Sequence, residues 1–84
     1  MKYIVYVLLS KVTRKSYVGF TDNLNRRIKE HNNGKSLYTR NFAPWKIVYT
    51  EEVDGYTEAR IREKYLKSAS GRKRVLKKIF DNIS

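Results

Sequence analysis

Two β-rich runs, YIVYVLLS at residues 3–10 and SYVGF at residues 16–20, are separated only by the polar stretch KVTRK. Both are built from β-branched and aromatic residues, and so short a separation reads as a hairpin. The loop holds no Asn-Gly, so the sequence does not fix its turn type. A loop centred near residues 11–13 pairs residues whose numbers sum to 23 or 25. Either register puts Tyr6 and Tyr17 on one sheet face, directly opposed or diagonal, with Gly19 on the same face. Val5, Val7, Leu9, Val18 and Phe20 then point to the other face as an apolar layer.

The periodicity changes directly after the hairpin. Residues 23–33 read as a helix with Leu24 and Ile28 on one side, and Gly34 stands where a helix terminator belongs. Residues 35–44 are polar, end at the only proline and read as a loop. WKIVYTEEV reads as a third strand, and YTEARIREKYLKS as a helix with Thr57 as its N-cap and Glu58 in its first turn. SGRKRVLKKIF follows as a last helix after a Ser/Gly break. The expected fold is α+β, a three-stranded antiparallel sheet flanked by helices in the order β-β-α-β-α-α. The chain shows no internal repeat or linker, so residues 1–84 are expected to form a single domain.

Charge narrows the partners. Nineteen lysines and arginines against eight acidic residues give +11, and the basic residues run through the whole chain. That balance favours a polyanion, nucleic acid ahead of an acidic membrane surface. No apolar run approaches transmembrane length and no small-residue cleavage site follows the N-terminal run, so the expected location is cytoplasmic. With no cysteine and one histidine, disulfides, thiolate chemistry and a zinc cluster are excluded.

Helical spacing singles out three further residues. Arg27 and His31 are four apart, hence stacked, each one position from the Leu24 and Ile28 line; Arg26 and Glu30 are expected on the opposite, solvated side. A guanidinium at the edge of a core face suits a phosphate, to which it offers fixed bidentate donors. From Arg60 to Lys78 inclusive there are nine basic residues and a single carboxylate, Glu63, at the rim of the face shared by Ala59 and Leu66. One carboxylate cannot build a two-metal site, but it can anchor one Mg²⁺ that takes its remaining ligands from water and phosphate. Taken alone, paired tyrosines read as cross-strand packing, and Glu63 as an ion pair with Lys67.

Together these residues resemble a known family. IVY at residues 4–6 and YVG at residues 17–19 resemble the two halves of the motif that names the GIY-YIG nucleases, with Ile4 in place of the first glycine. NLNRRIKEH resembles the helix that follows that motif, and IREKYLKSASGR is similar to a segment typical of small stand-alone members. The resemblance implies Mg²⁺- or Mn²⁺-dependent hydrolysis of a DNA phosphodiester, structure-selective cleavage in repair or recombination being the implied setting. It implies Tyr6 as general base, Tyr17 orienting water or phosphate, Arg27 neutralising phosphoryl charge, His31 relaying a proton and Glu63 holding the metal. Expected nucleic-acid contacts are Arg26, Lys35, Arg40, Lys67 and Arg72, with the bare backbone of Gly19 open to a ligand. The alternative is a non-catalytic basic nucleic-acid-binding module, in which the tyrosines stack on bases and no metal is needed. Sequence leaves oligomeric state open.

Overall fold

The computed structural model describes residues 1–83. Strand β1 (Lys2–Ser10) is central, flanked by β2 (Ser16–Thr21) on one side and β3 (Trp45–Asp54) on the other, antiparallel throughout. The expected three-stranded sheet is therefore present, with β2 and β3 as its two edges. Of the two hairpin registers, the sum of 25 is adopted: Tyr6 pairs with Gly19 and Leu8 with Tyr17, so the tyrosines are diagonal neighbours. Ser10 ties the turn by accepting from the Val12 and Thr13 amides at 3.2 and 3.1 Å, while its hydroxyl donates to the Phe42 carbonyl at 2.6 Å. On the other side of β1, a shift between Val7 and Leu8 leaves Val48 of β3 without a partner in the ladder.

Helices cover both faces. Helix α1 (Leu24–Asn32) lays Leu24 and Ile28 on Tyr6, Leu8 and Trp45. Helix α2 (Tyr56–Lys67) packs Ala59 and Leu66 onto Val5, Val7 and Val18 of the opposite face. Leu76 completes that second core; it belongs to a C-terminal helical stretch made of α3 (Ala69–Gly71), a π-helical turn (Arg72–Leu76) and α4 (Lys77–Ile83). No helix among the described residues is long and apolar enough to cross a membrane.

Local chemistry sets the helix ends, with some departures from expectation. Helix α1 ends at Gly34 (φ 82°), where the Lys35 amide turns back to the Glu30 carbonyl at 3.0 Å. Thr57 is not the cap of α2: Gly55 holds that position at φ 88°, and Thr57 lies inside the first turn with Glu58. Residues 35–44 are more ordered than a polar loop, because Thr39–Phe42 form a 3₁₀ turn whose Thr39 is fully buried. The break before the last helix is Ser68, whose hydroxyl accepts from the Gly71 amide at 3.2 Å. Gly71 then passes against the end of α2 so closely that an added Cβ would overlap the Tyr65 carbonyl oxygen.

That contact generates a test. Alanine is the better helix former by about 1 kcal/mol, so propensity alone favours Gly71→Ala. The overlap is with backbone, which has no rotamer to yield, and overpacking of this kind costs about 1–3 kcal/mol or more. The variant is expected to melt below the parent by several degrees, at about 4–8 °C per kcal/mol for a domain of this size. An equal or higher melting temperature would contradict the packing.

Candidate active site

The edge strand and the first helix meet at a joint only two residues long. Thr21 Oγ1 accepts from the Asn23 amide at 3.1 Å, and Asn23 Oδ1 caps α1 through the Arg26 amide, also at 3.1 Å. The joint fixes the entry angle of α1, which lies over the Tyr6 face of the sheet. Gly19 contributes by having no side chain, since a Cβ there would stand 2.7 Å from the Tyr6 hydroxyl and 3.0 Å from the Tyr17 ring. Gly19 is itself buried beneath that phenol, which corrects the expectation of a backbone open to a ligand.

Beneath the joint runs a buried chain of polar side chains. The Tyr6 hydroxyl lies 3.0 Å from His31 Nε2, and His31 Nδ1 lies 2.7 Å from Thr39 Oγ1. All three residues are 2% exposed or less. The Thr39 carbonyl accepts from the Trp45 indole at 2.8 Å, and the Trp45 amide donates to Asn32 Oδ1 at 2.6 Å, so the chain is anchored to β3 and back to α1. Tyr17 closes over it, its ring centroid 5.0 Å from His31 and 6.3 Å from Tyr6. Sequence placed His31 on the flank of the helix; the structure puts it fully inside. Thr39 was missed altogether, and nothing in its polar surroundings sets it apart from neighbouring loop residues.

Burial sets the charge states of the chain. Burial, with Arg27 nearby, pushes His31 down to about 4, so the ring is neutral near pH 7. Burial also raises Tyr6 to about 12; the charge of Tyr17 adds to that and Arg27 opposes it. Arg27 only donates, and it faces the phenol oxygen. The neutral ring donates through one nitrogen and accepts through the other, so it links the Tyr6 and Thr39 hydroxyls in a single line.

The charged groups form the rim. Arg27 is one-third exposed and pairs with Glu30 at 2.9 Å, which corrects the placement of Glu30 on the opposite side: at i+3 it reaches the guanidinium. Arg26 is exposed and shared between Asp22 at 3.4 Å and Glu30 at 3.8 Å. From the other layer, α2 brings Glu63 and Lys67 around the β2 edge, paired with each other at 3.1 Å, with Lys67 Nζ 5.9 Å from the Tyr17 ring centre. Glu63 is only one-fifth exposed, and its charge reaches Tyr6. Lys67 and Arg72 line a groove with Tyr17 and Tyr38, whereas Lys35 and Arg40 are exposed beyond it. Tyr6, Tyr17, Arg27, His31 and Glu63 are thus gathered at one end of the sheet edge.

The comparisons fit this arrangement. The GIY-YIG catalytic domain matches residues 2–77, which takes in every residue of the chain and rim just described. The chain belongs to the GIY-YIG family. Its relatives include the UPF0213 protein CPE1444 of Clostridium perfringens, 47% identical over 64 residues, which are 75% of this chain and 68% of that protein. The UPF0213 protein NP_0776A of Natronomonas pharaonis is 41% identical over 83% of this chain and 82% of its own. The solution NMR structure of the UPF0213 protein BH0048 from Bacillus halodurans superposes with a TM-score of 0.55 at 32% identity, covering 92% of this chain and 84% of that one. A GIY-YIG domain is a nuclease domain whose substrate is DNA, and such nucleases generally use a divalent metal.

The residues present fit such a metal in one way. Among the described residues no group of three or more His, Asp or Glu side chains stands together, so no all-protein cage exists. Glu63 is a single oxygen donor at the rim, and its Lys67 partner is half exposed and free to swing away. That donor set suits a hard cation that keeps its waters and takes phosphate oxygens.

The buried histidine gives this GIY-YIG domain a measurable signature. Its folded pKa lies below the value near 6.5 of an unfolded chain, so between about pH 4 and 6.5 the unfolded state binds more protons. Stability therefore rises with pH across that window and is flat with respect to this group above it. NMR titration of His31 should give a midpoint near 4, and a midpoint near 6.5 would contradict the buried chain.

Proposed function

We propose that this GIY-YIG chain is a divalent-metal-dependent endonuclease that hydrolyses phosphodiester bonds in DNA, with Tyr6 as the base and His31 as its proton acceptor. The observation that carries the proposal is the buried line from Tyr6 through His31 to Thr39, with the charges of Arg27 and the one-fifth-exposed Glu63 both reaching the phenol. A phenol buried only for packing needs one partner. Here its acceptor is itself oriented by a second hydroxyl, which is the logic of an activated base.

In the proposed reaction water attacks phosphorus, its proton passes to the Tyr6 oxygen, and the Tyr6 proton passes to His31 Nε2. The phosphorus–oxygen bond to the leaving sugar breaks, and that oxygen takes a proton from solvent. Tyr6 rests protonated, so the transfer relies on nearby positive charge, and Arg27 is the protein's own source of it. Arg27 also stabilises charge developing on the phosphoryl oxygens, for which it must loosen from Glu30. Tyr17 orients the attacking water, and Thr39 holds His31 in the tautomer that leaves Nε2 free to accept. Glu63 would hold an Mg²⁺ or Mn²⁺ ion, which when bound would supply positive charge beside the leaving oxygen. Arg26, Lys35, Arg40, Lys67 and Arg72 contribute phosphate attraction that weakens with salt.

Glu63→Gln separates this from a purely structural role. The amide keeps the size of the side chain and is a poor ligand for a hard cation. Mg²⁺-dependent nicking is expected to fall ~10²-fold or more. DNA binding should stay equal or tighten slightly, because one negative charge leaves a basic rim. If Glu63 served only its pair with Lys67, the variant would lose about 0.3–0.5 kcal/mol and nick normally. Undiminished nicking removes Glu63 from the metal site, and no nicking by the parent on any branched or linear DNA favours the binding module.

A further inference from the structure

An aromatic row continues outward from the buried site along the lip of the groove. Tyr17 neighbours Tyr38 with ring centroids 6.0 Å apart and planes tilted by 32°, and Tyr38 neighbours Phe42 at 5.6 Å. Tyr17 and Phe42 are half-buried, as packed aromatics are, whereas Tyr38 is 52% exposed. Tyr38 thus packs against both neighbours and still leaves half of its surface uncovered. It lines a groove of about 320 Å³ together with Ser16, Tyr17, Val18, Lys67 and Arg72.

The cations around the groove match the ring's exposure. Lys67 lies 5.9 Å from the centre of Tyr17, Lys15 lies 5.3 Å from the centre of Phe42, and Arg72 stands in the π-helical turn at the far wall. An aromatic face bordered by ammonium and guanidinium groups is complementary to one base and its phosphates. The groove is at the small end of ligand sites, a size suited to a single base. In a duplex both faces of each base are already stacked, so only a base outside the helix can lie on Tyr38.

We propose that Tyr38, with Lys67 and Arg72, forms a binding site for one unpaired nucleotide of DNA next to the phosphate being cleaved. The proposal rests on the nuclease reading and narrows its substrate to DNA with unpaired nucleotides beside the scissile bond. Tyr38 is the platform, Lys67 and Arg72 hold the flanking phosphates, and Tyr17 borders both this groove and the buried chain. Engagement of Lys67 by a phosphate also releases Glu63 from its ion pair.

The test compares the parent chain with Tyr38→Ala and Tyr38→Phe. Each is titrated without divalent metal, by fluorescence anisotropy, against a labelled single-stranded DNA oligonucleotide, the same sequence as blunt duplex, and the single-stranded RNA equivalent. Tyr38→Ala should weaken single-stranded DNA binding about tenfold while changing duplex binding less than twofold, and Tyr38→Phe should keep parent affinity because it keeps the ring. Equal losses on single strand and duplex, or no loss on either, would overturn the proposal, as would parent affinity for RNA well above that for DNA. Cleavage of the same oligonucleotides with Mg²⁺ is scored separately. Tyr38-dependent binding without any cleavage would sink the nuclease reading and leave the groove standing, whereas cleavage by a chain whose single-strand binding ignores Tyr38 would do the reverse.

Discussion

The missing side chain at Gly19 is the constraint on which the site depends. Gly19 faces Tyr6 across the hairpin, and only a bare backbone lets that phenol lie flat over the edge strand. Because the ring lies there, its hydroxyl meets His31 on α1. Because His31 is drawn fully inside to meet it, the other ring nitrogen needs a buried partner, and Thr39 of the 3₁₀ turn supplies it. The turn is in turn held by the Trp45 indole. One absent methyl group thus links an edge strand, a helix, a turn and the start of β3.

The same edge is where the two layers of the molecule meet electrostatically. A chain with a net charge of +11 gains nothing from burying another cation, and His31 accordingly rests neutral beside Arg27. Glu63 arrives from the opposite layer, around β2, to join Arg27 and its partner Glu30 at the rim without either core being opened. In the proposed reaction β1 and α1 supply the proton path and a phosphate-facing guanidinium, and α2 supplies the metal ligand.

Much of this was legible in the sequence where the signal is local. Alternation along two strands fixed the shared face of Tyr6 and Tyr17 whichever register was adopted, and Gly34 marked the end of α1 through its own backbone freedom, while Asn23, read as the first helical residue, is the side-chain cap just before it. What escaped is long-range. His31 reads as a flank residue by helical spacing, and its burial follows from where β1 and the 3₁₀ turn pack, which spacing does not encode. Thr39 sits in a polar run, and only the fold tells it from Ser36 or Asn41. Gly19 was expected to admit a ligand, whereas the space it leaves is filled by the protein's own tyrosine. At α2, Thr57 matched the preferred cap chemistry, but Gly55, one residue before the helix, already turns the chain at positive φ. The family resemblance rested on side chains that the hairpin and α1 bring together, which is why it was visible before the fold was.

The central claim is that the Tyr6 hydroxyl, and not merely its ring, is what the buried chain exists to position. The most direct measurement is the single-turnover rate of Mg²⁺-dependent DNA cleavage by Tyr6→Phe against the parent, with melting temperature and DNA affinity recorded on the same preparations. Phenylalanine keeps the ring that packs over Gly19 and removes the group that meets His31. The account predicts a rate lower by about 10²–10⁴-fold, the usual contribution of a general base, with DNA affinity little changed. Cleavage by Tyr6→Phe at the parent rate would contradict it.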